Sequence, residues 1–213
     1  MTRRVEILRR ATEVFSRQGV AQTSIEDIAR AVGIKREGVY YYFSSREDIL
    51  LEIILPQSRT LLFNFQNIAA GRAGVQERLH AAIRNHLESY NPGYLEMSVA
   101  LREDHGLKKK NRGKEEARKM QELRRVWKDY TGLWMALVQE GQGTGQFDPA
   151  LNPKMVAYGI LGMCNWLSRW YHPDGDLTIG EIVETFFAMV SRGIALPAGE
   201  GEAGGEAGAL ALP

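Results

Sequence analysis

Between Lys35 and Tyr42 the chain sets an ammonium, a guanidinium, a carboxylate and three phenols close together: Lys35, Arg36, Glu37, Gly38, Tyr40, Tyr41, Tyr42. Cations and phenol hydroxyls are donors to phosphate oxygens, and side-chain tips reach base edges. A core helix does not usually expose three consecutive tyrosines beside a Lys-Arg pair, whereas a helix entering a DNA groove uses all of them. Glu37 is the exception in sign. A carboxylate near DNA is repelled by phosphates unless it accepts from a cytosine amino group or holds a neighbouring arginine in place.

Two short helices must position these groups. Ser24 suits an N-cap, and Asp27, three residues on, echoes a capping box. Ile25, Ile28, Ala29 and Val32 then share an apolar face at helical spacing. Gly33 ends that helix where a positive φ is needed. Ile34 re-enters the core, and a second helix is expected over about 36–42, with Val39 and Phe43 inward. An earlier helix, about 3–17, places Val5, Leu8, Ala11, Thr12 and Phe15 on one face and ends at Gly19. Arg3 and Arg4 read either as a solvated face or as phosphate contacts.

These residues resemble the TetR family of transcriptional regulators. The resemblance rests on Thr23, Ser24, Ile28, Ala29, Val32, Gly33, Ile34, Arg36, Val39, Tyr40, Tyr41, Tyr42 and Phe43, followed by Arg46, Asp48 and Leu50. Glu37, Gly38 and Tyr42 depart from the usual pattern and leave the operator sequence open. The resemblance implies that Lys35, Arg36, Glu37 and Gly38 lie nearest the base edges. It implies that Ser24, Tyr40, Tyr41, Tyr42 and Arg46 grip phosphates, with Thr23 opening the motif.

The remaining chain reads as helices. A fourth helix is expected from about 46, interrupted by Pro56, which is either a bend or part of a switch. Further helices are expected over about 75–90, 94–104, 114–140, 153–170 and 178–193. His80 and His86 do not share a face, so metal-ligand spacing is absent. The run 106–119 is strongly basic, and reads as a solvated helix start or as a mouth for a polyanion. Behind it, Trp127, Tyr130 and Trp134 follow the helical period, as core or as pocket wall. The Gly-rich stretch 141–149 lacks a phosphate-binding fingerprint. The helices of 153–193 are apolar nearly all round, implying two buried faces, one of them against a partner subunit.

Segments 101–107, 140–153 and 162–182 resemble the acyl-coenzyme A-responsive branch of the same family. That resemblance implies an all-α homodimer of about nine helices: a three-helix head over 1–47 and an effector-binding and dimerisation body over 48–195. Residues 196–213, rich in Gly, Ala and Glu, read as a disordered tail. The resemblance also implies a pocket in the body, and an acyl or aryl chain would find an apolar, aromatic wall in Met97, Trp127, Tyr130, Trp134, Met163 and Trp166. Lys109, Lys110 and Arg112 would meet the coenzyme phosphates. Gly162, Asn165, Arg169, Phe186 and Met189 are expected at the dimer interface. The implied partners are double-stranded operator DNA, a second copy of the chain and a small-molecule effector.

Composition sets bounds. The formal net charge of +1 excludes bulk electrostatic coating of nucleic acid. Residues 1–50 carry nine Lys or Arg against seven acids, and residues 131–213 carry three against nine. The single cysteine, Cys164, excludes an intramolecular disulfide and suits a reducing cytoplasm. The first residues, MTRRVEILRRA, lack a signal-peptide apolar run, and no stretch suits a membrane span. No Ser/His/Asp set or paired carboxylates in an apolar setting suggest an enzyme, and no cofactor is expected. A repressor sensing a hydrophobic drug or free lipid, and a non-specific architectural DNA binder, stand as the other readings.

Overall fold

A computed structural model describes residues 2–89, 113–172 and 174–195. Eight helices lie among the described residues: α1 (Arg3–Gln18), α2 (Ile25–Val32), α3 (Arg36–Tyr40), α4 (Arg46–Ala69), α5 (Val75–Glu88), α6 (Lys114–Gly143), α7 (Pro153–Trp170) and α8 (Ile179–Ile194). The fold is all-α. The expected helix over 94–104 and the tail over 196–213 lie outside the described residues.

The caps explain several boundaries. Ser24 accepts from the Asp27 N–H while the Asp27 carboxylate accepts from the Ser24 N–H, a reciprocal box that starts α2. Gly33 ends it at φ 75°, in the left-handed region that favours glycine. Thr178 and Glu181 form a second such box at α8, and Asn152 caps α7 ahead of Pro153.

Three sequence expectations need correction. Val5 is 47% exposed, and Ile7 takes its place in the core of α1. The third helix stops at Tyr40, two residues short of the expected end. Pro56 does not interrupt α4, which runs unbroken through it. One lost backbone hydrogen bond is outweighed by burial on both sides of the proline. Ile53, Ile54 and Leu55 precede it, and Ser58, Leu61 and Phe65 follow.

Two hydrophobic cores result. The first joins Ile7, Phe15, Ile28, Val39 and Phe43 to α4 residues through Leu55, and adds Met120, Leu123 and Val126 from the first half of α6. The second joins Phe65, Leu79, Ile83, Tyr130, Trp134, Leu137, Ile160, Leu167 and Val183. The helix α6 therefore belongs to both. Its partly buried Trp127 packs against each core and lies between them in sequence.

The loop after α6 is less passive than a connector. Gly141 carries no side chain because Phe147 fills that space: a Cβ there would lie 2.0 Å from Phe147 Cδ2. Asp148 N–H donates to Ile194 O at 2.9 Å, tying the loop to the end of α8.

Candidate DNA interface and effector core

The exposed end of α3 presents the phenols found in the sequence. Tyr41 is 82% exposed, Tyr40 42% and Tyr42 37%. The rings of Tyr41 and Tyr42 meet edge to face at 4.9 Å. Lys35, Arg36 and Glu37 are exposed beside them. Gly38 is half-buried, with Ile34 beneath it.

Arg36 is held rather than free. Its guanidinium lies 5.2 Å over the Tyr40 ring, donates to the Tyr40 hydroxyl at 3.1 Å and pairs with Glu26 at 2.7 Å. The bond to Tyr40 and the charge of Glu26 raise its already high pKa. Glu37 is the carboxylate nearest in sequence that could steady an arginine. The carboxylate that meets Arg36 is Glu26, from the preceding helix, and no spacing rule within α3 could have found it.

Two motif residues turn inward, against expectation. Thr23 is 1% exposed, and its hydroxyl donates to Gly19 O at 2.7 Å. Arg46 donates to the carbonyls of Ala21 at 3.1 Å and Thr23 at 3.0 Å, and pairs with Glu47 at 2.8 Å. Arg46 fastens the turn before α2 to the start of α4, and the Thr23 hydroxyl braces that turn from within. Ser24 stays exposed, its hydroxyl engaged with Asp27. Arg4 lies 4.9 Å over the Phe43 ring and pairs with Glu52 at 2.9 Å, closing α1 onto α4.

A polar seam joins α4 to α6. Lys119 Nζ lies 2.7 Å from Asp48 Oδ1 and also pairs with Glu52. Ser45 Oγ donates to the buried Glu116 at 3.0 Å. Burial opposes charge on Asp48. The Lys119 ammonium and the Ser44 N–H outweigh it and hold the carboxyl below its ordinary range. Glu52 is lowered in the same way, with Lys119 and Arg4 overcoming burial. This seam was missed in the sequence, where Glu116 and Lys119 read only as part of a basic run.

The body core brings together the expected aromatics. Tyr130 contacts Trp127 at 5.6 Å, Trp134 at 6.3 Å and Phe65 at 5.4 Å between ring centroids. Tyr130 and Trp134 are fully buried. Among them sits His86, which sequence reasoning passed over. Its Nδ1 is 2.9 Å from the Tyr130 hydroxyl and its Nε2 2.9 Å from Asn165 Oδ1. An amide oxygen only accepts, so Nε2 carries the proton and Tyr130 donates to Nδ1. Burial drives the His86 pKa down to about 4, which leaves the ring neutral. Burial likewise raises the Tyr130 phenol and the Cys164 thiol, the latter to about 12.

Asn165 and Trp166 point the opposite way from expectation within the subunit. Asn165, expected at a dimer interface, turns inward to His86, because a fully buried imidazole N–H needs an acceptor. Trp166, expected in the pocket wall, is 64% exposed. It continues an outward stripe of α7 through Met155, Tyr158 and Trp170. Gly162 and Arg169 are exposed on the same helix, and a Cβ at Gly159 or Gly162 would meet nothing within 4 Å. Met163 and Phe186 are half-buried, and Met189 is 60% exposed over a groove also lined by Glu184, Thr185, Ala188 and Arg192. Met97, Lys109, Lys110 and Arg112 lie outside the described residues. Among the described residues no group of His, Cys, Asp and Glu is placed to hold a metal, and no helix is long and apolar enough to cross a membrane.

A capped helix-turn-helix with an exposed cation-phenol face, mounted on a helical body with its own core, defines a DNA-binding regulator. The comparisons specify which kind. Residues 7–53 match the family described as bacterial regulatory proteins, tetR family. Residues 72–194, more than half the chain, match the tetracyclin repressor-like C-terminal domain. The chain belongs to the TetR family, whose members are transcriptional regulators and not enzymes. It is 26% identical over 194 residues to the HTH-type transcriptional repressor KstR2 of Mycobacterium tuberculosis H37Rv, covering 91% of this chain and 93% of that one. The ketosteroid regulator KstR2 structure from M. tuberculosis superposes with TM-score 0.79 at 24% identity, over 92% of this chain and 96% of that chain. AibR in complex with isovaleryl coenzyme A and operator DNA superposes with TM-score 0.74 at 23% identity, over 88% and 97%.

Proposed function

We propose that this chain is a dimeric repressor that occupies a palindromic operator and leaves it on binding an acyl-coenzyme A thioester. The observation that carries the reading is the passage of α6 through both cores. Its first half supplies Met120, Leu123 and Val126 to the DNA-binding head, and its second half supplies Tyr130 and Trp134 to the body. A ligand that repacks the second half biases the position of the first, and the shift equals its differential affinity for the two arrangements.

The head supplies the operator contacts. Lys35, Arg36, Glu37 and Gly38 face base edges, and Ser24, Tyr40, Tyr41 and Tyr42 meet phosphates. A twofold axis beside the α7 and α8 stripe would set two α3 helices roughly 34–36 Å apart, one DNA turn. The apolar, aromatic body suits an acyl group. The basic run ahead of α6 supplies, in sequence, cations that suit the coenzyme phosphates. The similarity to KstR2 and to AibR, solved with isovaleryl coenzyme A, supports the choice of effector.

The test is operator release followed by fluorescence anisotropy. An acyl-coenzyme A should release the labelled operator, while the free acid and coenzyme A alone should not. Release by the free acid or a lipophilic drug, with every thioester silent, would replace this reading with one of drug or lipid sensing.

A further inference from the structure

The head carries a carboxylate whose place stability does not explain. Glu26 lies in the first turn of α2, exposed, with an oxygen 2.7 Å from Nη1 of Arg36. An ion pair this open to water adds little to folding. Toward DNA the carboxylate is a liability, because phosphates repel it. Its effect is to fix a long side chain. Glu26 takes Nη1 of Arg36, the Tyr40 hydroxyl accepts from Nη2, and the guanidinium lies over the Tyr40 ring. Nε–H and the second N–H of each η nitrogen stay free, enough for a fork of parallel bonds. The Tyr40 oxygen, accepting from Arg36, still has its own proton to give to a phosphate.

In helix-turn-helix docking the leading residues of the second helix meet base edges in the major groove. Guanine offers acceptors at O6 and N7 side by side, the match for a planar fork. We infer that Arg36 reads a guanine in each operator half-site, and that Glu26, on the other helix of the motif, is the positioning residue that sets how sharply it does so. Glu26 acts by sparing Arg36 the rotamer freedom it would otherwise lose on docking. A guanidinium held in one pose does not swing to a phosphate or to another base, so the hold is felt as discrimination. As DNA displaces water from the surface, the ion pair strengthens. This inference rests on the operator reading proposed above. It specifies one base pair of that operator and the residue that stands behind its reader.

Selection from random double-stranded DNA by the full chain would supply an operator. Fluorescence anisotropy would then compare it with versions carrying each base-pair change. Replacing one G·C pair, symmetrically in both half-sites, should weaken wild-type binding about tenfold or more. Arg36→Lys keeps the charge and loses the fork, and should feel that replacement by less than about twofold. Glu26→Ala should retain only about a third of the wild-type preference. Its affinity for an unrelated duplex should equal or exceed that of wild type, since a charge that repels phosphates is gone. A merely structural role would weaken both duplexes together. Glu26→Gln, whose amide oxygen still accepts from the guanidinium, should fall between wild type and Glu26→Ala. It decides the matter if Glu26→Ala does not fold. Full preference in the Glu26 variants, parallel weakening of both duplexes, or no guanine that Arg36→Lys ignores, overturns the inference and leaves the operator reading standing. Selection that enriches no inverted repeat overturns both.

Discussion

Lys119 Nζ lies 2.7 Å from Asp48 Oδ1, across 71 residues of sequence, and joins α6 to the start of α4. Both side chains are nearly buried, so removing one leaves a charge with little access to water. Lys119→Met should therefore lower stability by about 2 kcal/mol, below the fuller cost of a deep pair because the rim is wetted. Arg118→Ala, next door but exposed, should cost less than about 0.5 kcal/mol. Urea melts of the two variants check the contrast. Equal midpoints would mean that Lys119 does not brace the head.

His86 makes stability depend on pH. Its folded pKa of about 4 lies below the ordinary 6.5. Between those values the unfolded chain takes up a proton that the folded chain refuses. Stability is then full above pH 6.5 and falls as pH drops toward 4, by up to about 3 kcal/mol. The depressed carboxyls of Asp48 and Glu52 add a loss of the same sign as pH falls below the ordinary carboxylate range. Denaturant melts at stepped pH should show this slope, and His86→Gln should flatten its upper part. An unchanged slope in that variant would assign the effect elsewhere.

Gly141→Ala should destabilise by about 2–3 kcal/mol, because the new methyl overlaps the Phe147 ring. Gly143→Ala meets nothing within 4 Å and serves as the control. Paired thermal unfolding curves give the answer. A double variant, Gly141→Ala with Phe147→Leu, should recover part of the loss.

On DNA, Tyr41→Phe removes an exposed hydroxyl and should weaken binding similarly across operator sequences, by about 1 kcal/mol. Arg36→Ala should alter sequence preference at one or two positions, each worth about 1–3 kcal/mol. Glu26→Ala should act like a mild Arg36 variant, since Glu26 and Tyr40 aim that guanidinium. Binding to a library of single-base operator variants separates the three. Identical profiles for Arg36→Ala and Tyr41→Phe would refute the assignments.

The outward stripe of α7 gives a test of assembly. Trp166→Arg should shift the protein from dimer toward monomer in light scattering, and operator affinity should fall with it. Asn165→Ala should instead leave the dimer intact and lower stability, because it strips the buried His86 of an acceptor. The reverse pattern would restore the expectation drawn from sequence.

The head was legible because its information is local. Caps, glycine positions and apolar spacing sit within a few residues of what they control, as Ser24, Asp27 and Gly33 show. Motif matching does not say which matched residues turn inward, as Thr23 and Arg46 do. Farther along, α7 is apolar nearly all round, and periodicity has no polar face against which to choose. The inward turn of Asn165 and the outward turn of Trp166 escape it for that reason. His86 and the Glu26–Arg36 pair depend on partners from other helices, which no window of sequence contains.

The shared helix α6 carries a further consequence for phase. Its two halves point their side chains at different cores, and the angle between them is set only by residue count. One residue inserted beside Lys128 would turn Tyr130 and Trp134 by about 100° relative to Met120 and Leu123. Seven residues would nearly restore the angle while moving the halves apart by roughly 10 Å. The length of this rod, as much as its composition, is therefore under constraint.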